Sequence, residues 1–181
     1  MPIPDHIQMT QERVALGKKL FFDPALSRDY TISCASCHHQ EIAFTDAEPI
    51  SVGIQGRKGF RNTPTLANVG YHPYFFAEGG SPTLEQQVIG PIENPDEMGF
   101  NARELEDRLV LDEEYNRLAM EAYGRPMSMY VLARALSAFE RTMISGNSRF
   151  DQFMYQGKKE ALDEEEKKGI ELFFSDRYDC C

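Results

Sequence analysis

Apolar residues recur at helical spacing in several parts of the chain, and the clearest case runs from Ser128 to about Ile144. In this stretch an apolar side chain returns every three or four residues, which gives a helix one buried face. The predicted face consists of Met129, Leu132, Ala133, Leu136, Phe139 and Met143. The spacing therefore predicts a helix that packs on a hydrophobic core.

Polar residues that cap helices mark the starts of four further helices. A short polar side chain just before an apolar run can accept hydrogen bonds from the first free N–H groups of a helix. At the last of these starts, Glu166 completes a capping box with Asp163. The predicted helices begin at Thr10, Asn101, Asp112 and Asp163 and end near residues 22, 111, 123 and 174.

The long segment 40–83 is rich in Gly and Pro and has no sustained period. A structureless stretch of that length in a compact domain is usually functional or wrapped around a ligand, so a bulky cofactor is expected to organise it. No strand pattern competes with the helices. The predicted fold class is all-α with long irregular loops.

Composition narrows the class of protein. The chain has 181 residues, 41% hydrophobic and 27% charged, and no apolar run near the roughly 18 residues that a membrane span needs. The formal net charge of −10 disfavours nucleic acid and suits a small basic partner. The start of the chain has neither a basic nor an apolar region of the secretory kind, so we expect no signal peptide in this chain.

The chain contains one internal repeat. GKKLFF at residues 17–22 is echoed by GIELFF at residues 169–174, and a cysteine follows each copy. Cys180 therefore corresponds to Cys34.

Cys34-Ala35-Ser36-Cys37-His38 is a C-x-x-C-H motif, which is the attachment signature of c-type haem. On a short helix the two thiols can bond the two vinyl groups of haem, and the adjacent histidine then lies under the iron as an axial ligand. Two alternatives remain open at this point: a redox dithiol, and a zinc site that combines both cysteines with Cys180 and Cys181. His72 is a weaker candidate for a second iron ligand.

Gln87 and Glu97 are candidate polar groups for chemistry beside such an iron. They stand ten residues apart in LEQQVIGPIENPDEMGF. If one side of the iron is open, an acid/base group nearby allows peroxide chemistry, whereas a cytochrome that only carries electrons usually has a second strong ligand. Spacing alone leaves ordinary surface polarity as the competing interpretation of both residues.

Several motifs occur in one order along the chain: LGKKLFFDPALSRDYTISCASCH, AFTD, GRKGFRNTPTLANV, LEQQVIGPIENPDEMGF and GIELFFSDR. With these motifs the chain resembles the bacterial di-haem cytochrome c peroxidase family, which includes the MauG-type enzymes. The resemblance implies two cytochrome c-like lobes, each with one haem c, and a calcium ion between them.

The resemblance also implies roles for individual residues. Cys34, Cys37 and His38 match the attachment site and axial ligand of the peroxide-reacting haem, and Cys180 matches the start of the second attachment site. Gln87 and Glu97 match the catalytic glutamine and glutamate beside the iron. Asn62 matches an asparagine that contributes to the calcium site.

The implied activity is reduction of hydrogen peroxide to water, with electrons from a small cytochrome c or cupredoxin. Glu97 would relay a proton between the two peroxide oxygens while Gln87 orients the peroxide. The alternatives are an electron-transfer cytochrome without peroxidase activity and a MauG-like oxidase that acts on a partner protein. The resemblance further implies a periplasmic protein and leaves a homodimer open.

The sequence departs from the family pattern in three ways. Many members carry a histidine in the loop that matches residues 51–56, where this chain has Ile54 and Gln55, and the chain contains no tryptophan. The second haem motif is also cut after Cys180. We therefore expect an N-terminal peroxidatic domain at 1–160, the first helix of a truncated C-terminal cytochrome c-like domain at 161–181, and at most one haem in this chain.

Overall fold

The fold is described by a computed structural model that covers residue 3 and residues 7–175. Within that part of the chain all regular structure is helical and no β-strand forms, so the predicted all-α class is confirmed. The α-helices are α1 (Gln11–Phe21), α2 (Leu84–Gln87), α3 (Ile89–Glu93), α4 (Ala102–Val110), α5 (Glu113–Tyr123), α6 (Met129–Glu140), α7 (Arg149–Gln156) and α8 (Glu164–Phe173). Short 3-10 helices lie at Pro24–Leu26, Cys34–Ser36, Gln40–Ile42, Ile54–Gly56, Val69–Tyr71 and Lys159–Ala161.

The chain divides into two compact units, Met1–Ile144 and Ser145–Cys181. The first unit contains α1 to α6 and the second contains α7 and α8. This division falls earlier than residue 160, where the sequence predicts the end of the first domain. The assignment of the following residues to a second cytochrome c-like domain stays a prediction.

The core of the first unit is built on the crossing of α1 and α6. The two helices approach so closely at Gly17 that a Cβ atom there would lie 1.8 Å from the carbonyl oxygen of Ala135. Beside this crossing the rings of Phe21 and Phe139 meet edge to face, with centroids 5.2 Å apart. The glycine and the two phenylalanines thus let two helices from opposite ends of the unit share one apolar interior.

The capping residues act largely as the sequence predicts. The side chain of Thr10 accepts from the N–H of Arg13, and Asn101 caps α4. Asp163 and Glu166 form the predicted capping box at the start of α8. The local hydrogen-bonding chemistry of these side chains explains why short sequence signals located the helix starts.

Two helix predictions need correction. Helix α6 ends at Glu140 and not near residue 144, because the chain tightens into a turn in which Thr142 donates to the carbonyl of Phe139. Its predicted face is buried except at Met129, which is only half-buried. The sequence also missed α7, although Ser148 and Asp151 form a capping box at its start.

The segment 40–83 is irregular, as predicted, apart from three 3-10 helices. Five of its non-glycine residues have positive φ, a conformation that L-amino acids rarely adopt. They are Ala43, Phe44, Gln55, Asn68 and Phe76. Their backbone conformations are held by contacts elsewhere in the fold, which is typical of segments that surround a functional site.

Among residues 7–175, no helix is both long and apolar enough to cross a membrane.

Candidate functional site

The C-x-x-C-H motif forms a single tight turn. Cys34 begins a 3-10 helix, and its carbonyl oxygen accepts hydrogen bonds from the N–H groups of Cys37 at 3.2 Å and His38 at 3.0 Å. At the start of the turn, the N–H of Ser33 donates to the hydroxyl of Ser36 at 3.0 Å. The two thiols and the imidazole are therefore presented by one short helical turn, as the motif predicts.

The imidazole of His38 is oriented by the backbone of a neighbouring loop. Its Nδ1 lies 2.7 Å from the carbonyl oxygen of Phe44, so Nδ1 carries the proton and donates to this oxygen. Burial lowers the pKa of His38, although the Phe44 carbonyl opposes that effect, and the ring is neutral at pH 7. The lone pair of Nε2 then has no hydrogen-bond partner within residues 7–175 and is available to a metal.

The loop that carries this carbonyl has an unusual backbone. Ala43 and Phe44 both adopt left-handed conformations, with φ of 62° and 57°. The turn is closed by two backbone hydrogen bonds, from the N–H of His39 to the carbonyl of Thr45 at 2.9 Å and from the N–H of Phe44 to the carbonyl of His39 at 2.8 Å. The side chain of Thr65 also donates to the carbonyl of Ala43. This turn directs the carbonyl of Phe44 at the imidazole of His38.

Both thiols are held in their protonated form. Burial raises the pKa of Cys34 to about 12, with a further contribution from the negative charge of Glu140. Burial also raises the pKa of Cys37, against the effect of the Ser51 hydroxyl, which lies within hydrogen-bonding reach of its sulfur. The two cysteines form no disulfide. A reactive redox dithiol needs the opposite shift, a lowered thiol pKa, so this alternative is disfavoured.

Glu97 is linked to the cysteine turn through the loop at residues 51–54. The N–H of Ile54 donates to the carbonyl of Glu97 at 2.8 Å, and the hydroxyl of Ser51 lies within hydrogen-bonding reach of the Cys37 sulfur. The charge of Glu97 contributes to the raised pKa of both Cys34 and Cys37. Although its side chain is partly exposed, surrounding protein atoms raise the pKa of Glu97 by burial, and a hydrogen bond from Asn94 opposes this. The structure thus brings an acid with a perturbed pKa near the C-x-x-C-H turn, which is a common property of functional carboxyl groups.

Gln87 is the last residue of α2, a short helix that packs against α6. Its side chain is half-buried and makes no hydrogen bond with any residue of 7–175. No hydrogen bond links Gln87 with Glu97 or with the cysteine turn in this part of the chain. Its amide is therefore free to bind a ligand.

Two further predicted site residues, Asn62 and His72, form no side-chain hydrogen bond with this cluster in the described part of the chain. Asn62 is exposed, and its Nδ2 donates to the carbonyl of Pro49, whereas its side-chain oxygen makes no hydrogen bond within residues 7–175. His72 is also exposed. Cys180 and Cys181 lie outside the described residues. No group of three or more His, Cys, Asp or Glu residues within residues 7–175 is arranged to hold a metal ion.

Sequence reasoning missed three polar residues beside the cysteine turn. Ser51 donates to Asp46 at 2.5 Å, and these two residues adjoin Cys37 and His39. Glu140, near Cys34, is buried, and its Oε2 has no hydrogen-bond partner among residues 7–175. Burial raises the pKa of Glu140 to about 8. The only sequence signal for them was the polar pair within AFTDAEPIS and a single charge at the end of an apolar helix face.

The residues of the turn fit a covalently attached haem. Two protonated, unpaired thiols lie on one turn, and a neutral imidazole has its Nδ1 fixed and its Nε2 free. The ring of Phe21 lies beside this imidazole, with centroids 6.3 Å apart, and the ring of Phe44 packs edge to face on Phe21. This donor set on an all-helical domain defines a c-type haem protein.

Comparison with known proteins identifies the family. Residues 11–160 match the family described as di-haem cytochrome c peroxidase. The chain is 35% identical to the cytochrome c551 peroxidase of Pseudomonas aeruginosa, over 99% of this chain and 54% of that protein. It is also 35% identical to the methylamine utilization protein MauG of Methylorubrum extorquens, over 96% of this chain and 49% of that protein. The chain belongs to the di-haem cytochrome c peroxidase family.

Solved structures agree with this assignment. A MauG-like protein associated with microbial copper homeostasis superposes with a TM-score of 0.86 at 35% identity, over 98% of this chain and 53% of that one. The diheme peroxidase BthA of Burkholderia thailandensis superposes with a TM-score of 0.76 at 29% identity, over 92% of this chain and 47% of that one. The chain thus spans about half the length of the relatives that it matches.

Proposed function

We propose that this chain forms the peroxide-reacting haem domain of an enzyme that reduces hydrogen peroxide to water with electrons from a small redox protein. The observation that carries the proposal is that one loop connects Glu97 with the cysteine turn, because Ile54 bonds the Glu97 backbone and Ser51 reaches the Cys37 sulfur. The raised pKa of Glu97 supports an acid/base role for its carboxyl group. A domain that only carries electrons has no need of an acid/base group there. The negative charge of −10 suits a basic electron donor.

The bound haem would be held by Cys34, Cys37 and His38, and it would supply an iron that exchanges electrons with peroxide. Glu97 accepts a proton from one oxygen of hydrogen peroxide and returns it to the other, so that this oxygen leaves as water. Gln87 donates its free amide N–H to the peroxide and orients it. In total, one peroxide, two electrons and two protons give two molecules of water.

Three further assignments follow from the family resemblance. Asn62 offers its side-chain oxygen to a calcium ion, because its amide nitrogen is already engaged by Pro49. Cys180 begins a second haem attachment site, and residues from 161 onward begin a second cytochrome c-like domain. The protein acts in the periplasm, where c-type haem is attached in this family.

The test begins with the haem. The 181-residue chain is produced with an export signal in a host that attaches c-type haem, and its intact mass and pyridine haemochrome spectrum are measured. We expect one covalent haem per chain. A chain that carries zinc and has no Soret band would contradict the proposal.

The second step tests Glu97 by rapid mixing of the ferric protein with hydrogen peroxide. The change Glu97→Gln should slow the spectral reaction by about 100-fold with unchanged haem content, since general acid–base groups typically contribute factors of that order. Glu41→Gln is the matched control, because Glu41 is exposed and its carboxylate makes no hydrogen bond or salt bridge within residues 7–175. An unreactive wild-type haem with two strong ligands would favour an electron-carrier cytochrome.

A MauG-like oxidase is a second candidate, because identity to a MauG protein equals identity to a peroxidase. The peroxidase and the MauG-like oxidase differ in the molecule that they oxidise. Peroxide-dependent oxidation of a small reduced cytochrome favours the peroxidase, whereas peroxide-dependent covalent modification of a partner protein favours the oxidase.

A further inference from the structure

Asn94 lies between helix α3 and Glu97, and all of its polar groups are used. Its N–H donates to the carbonyl of Gly90 at 2.9 Å. Its carbonyl accepts from the N–H groups of Glu97 at 3.0 Å and Gly99 at 2.9 Å. The backbone of Asn94 is therefore fixed from both sides, which limits the directions that its side chain can take.

The orientation of the Asn94 amide is determined by its two partners. Oδ1 lies 3.0 Å from the backbone N–H of Asp96, which can only donate. The other end of the amide, Nδ2, must then face Glu97, and it donates to Oε1 of that residue at 2.7 Å. The flipped amide would direct an oxygen at the carboxylate and a nitrogen at an N–H group, so the network excludes it.

This hydrogen bond distinguishes the two oxygens of the Glu97 carboxyl group. Oε1 is occupied by Asn94, whereas no hydrogen bond within residues 7–175 engages Oε2. A hydrogen bond to the ionised carboxylate stabilises that form, which opposes the effect of burial. Asn94 therefore fixes the rotation of the carboxyl group and favours its proton-accepting form.

The backbone around Glu97 is anchored independently of the Asn94 side chain. The carbonyl of Glu97 accepts from the N–H of Ile54 at 2.8 Å, and Arg57 donates to the carbonyl of Pro95 at 3.1 Å. A change confined to the Asn94 amide should consequently release the carboxyl group without releasing the segment that carries it.

We propose that Asn94 is a positioning residue, which holds Glu97 by Oε1 so that Oε2 is the atom that exchanges a proton with peroxide. This inference rests on the proposed function of Glu97 and adds the group that orients it. The charged group that acts on Glu97 is Asp96 beside it, which raises the pKa of Glu97, and Glu97 in turn contributes to the raised pKa of Cys34 and Cys37. Arg57 approaches the neighbouring Pro95.

The decisive variant is Asn94→Asp in the haem-loaded chain. An aspartate keeps an oxygen for the N–H of Asp96 and therefore keeps the turn, but it replaces the donor to Glu97 by a negative oxygen. Loss of the donor and addition of a like charge both raise the pKa of Glu97. We expect the acid limb of the peroxide reaction rate to move up by about one pH unit, with near wild-type rates recovered at high pH.

A second readout does not depend on activity. The carboxyl groups of the ferric protein are titrated without peroxide by infrared difference spectroscopy, and the band absent from Glu97→Gln identifies Glu97. Its titration should move up by about one pH unit in Asn94→Asp. Asn94→Ala, which removes the donor without adding charge, should shift the titration in the same direction by less.

The outcomes separate the two proposals. If Glu97→Gln slows the reaction but Asn94→Asp leaves both the rate profile and the carboxyl titration unchanged, the role of Asn94 is overturned and that of Glu97 stands. If Glu97→Gln reacts at the wild-type rate, the proposed role of Glu97 fails and this inference fails with it. A lower rate in Asn94→Asp that is equal at every pH would also overturn the inference, because a general structural defect would produce it.

Discussion

The backbone N–H of Ile54 donates to the backbone carbonyl of Glu97 at 2.8 Å. This bond joins the loop at residues 53–57 to the segment that carries the proposed catalytic carboxylate. The contact is tight, since a Cβ atom on Gly53 would lie 2.1 Å from the carbonyl oxygen of Asp96 and 2.7 Å from the Cα of Glu97. Gly53 is therefore required for the two segments to meet, although its φ of −85° is open to any residue.

The first prediction concerns this contact. Gly53→Ala should displace Glu97 and lower the rate of reaction with peroxide by about 10- to 100-fold, because small displacements of a reacting group have effects of that size. Haem content should stay the same, since the cysteine turn is not touched. Stopped-flow mixing with peroxide measures the rate. In Gly59→Ala the new Cβ meets no atom within 4 Å, so this control should react normally. Equal rates in both variants would contradict the prediction.

The second prediction uses the two copies of the internal repeat. Gly17→Ala should destabilise the fold by about 2 kcal/mol or more, because its Cβ would collide with the backbone of Ala135 in α6. Gly169→Ala should be neutral or stabilise by up to about 1 kcal/mol, since alanine is the better helix former and a Cβ there would meet no atom of the described chain beyond its own helix within 4 Å. Urea unfolding of the two variants measures both effects. An equal change in the free energy of unfolding in the two variants would contradict the prediction.

The third prediction concerns the pH dependence of stability. The pKa of Glu140 is raised by burial to about 8 from its usual 4.5. Between these pH values the native state binds a proton that the unfolded state lacks, so stability falls as pH rises from about 5 to 8. Glu140→Gln should remove this fall, which is on the order of a few kcal/mol.

The measurement for Glu140 is urea unfolding at pH 5, 6, 7 and 8, with the haem-loaded wild type beside the variant. The informative quantity is the difference between the two curves, because other titrating groups are common to both proteins. Glu104→Gln is the control, since Glu104 is an exposed carboxylate on α4. A constant difference between wild type and Glu140→Gln across this range would contradict the prediction.

The fourth prediction concerns the turn that orients His38. Ala43 is exposed and has a φ of 62°, where a side chain is strained and glycine is not. Ala43→Gly should therefore raise the free energy of unfolding by up to about 1 kcal/mol and preserve the bond from His38 to Phe44. Ala47→Gly, at an exposed position without positive φ, should lower stability slightly through chain entropy. Denaturant unfolding compares the two, and the unchanged Soret spectrum checks the iron ligand.

The capping side chains explain how much of the helical fold was predictable. The side chains of Thr10, Asn101 and Asp163 accept hydrogen bonds from N–H groups two or three residues away. The start of each of these helices therefore depends on neighbouring residues and can be read from the sequence. The end of α6 was not predictable in this way. The apolar period continues to Met143, but the helix stops at Glu140 because the chain turns there. After the turn, the carbonyl of Met143 accepts a hydrogen bond from the N–H of Asn68.

The sequence by itself determined the groups that can bond a haem. Cys34, Cys37 and His38 lie within five consecutive residues, so one short turn brings them together independently of the rest of the fold. It also marked Gln87 and Glu97, through their order within a family motif. Only the tertiary structure brought Glu97 and Glu140 near the cysteines, fixed His38 through Phe44, and placed Asn94 and Ile54 on Glu97. These relationships join residues that are distant in sequence or depend on backbone direction. They arise from the packing of α1 on α6 and from the course of long irregular loops, which no local periodicity encodes.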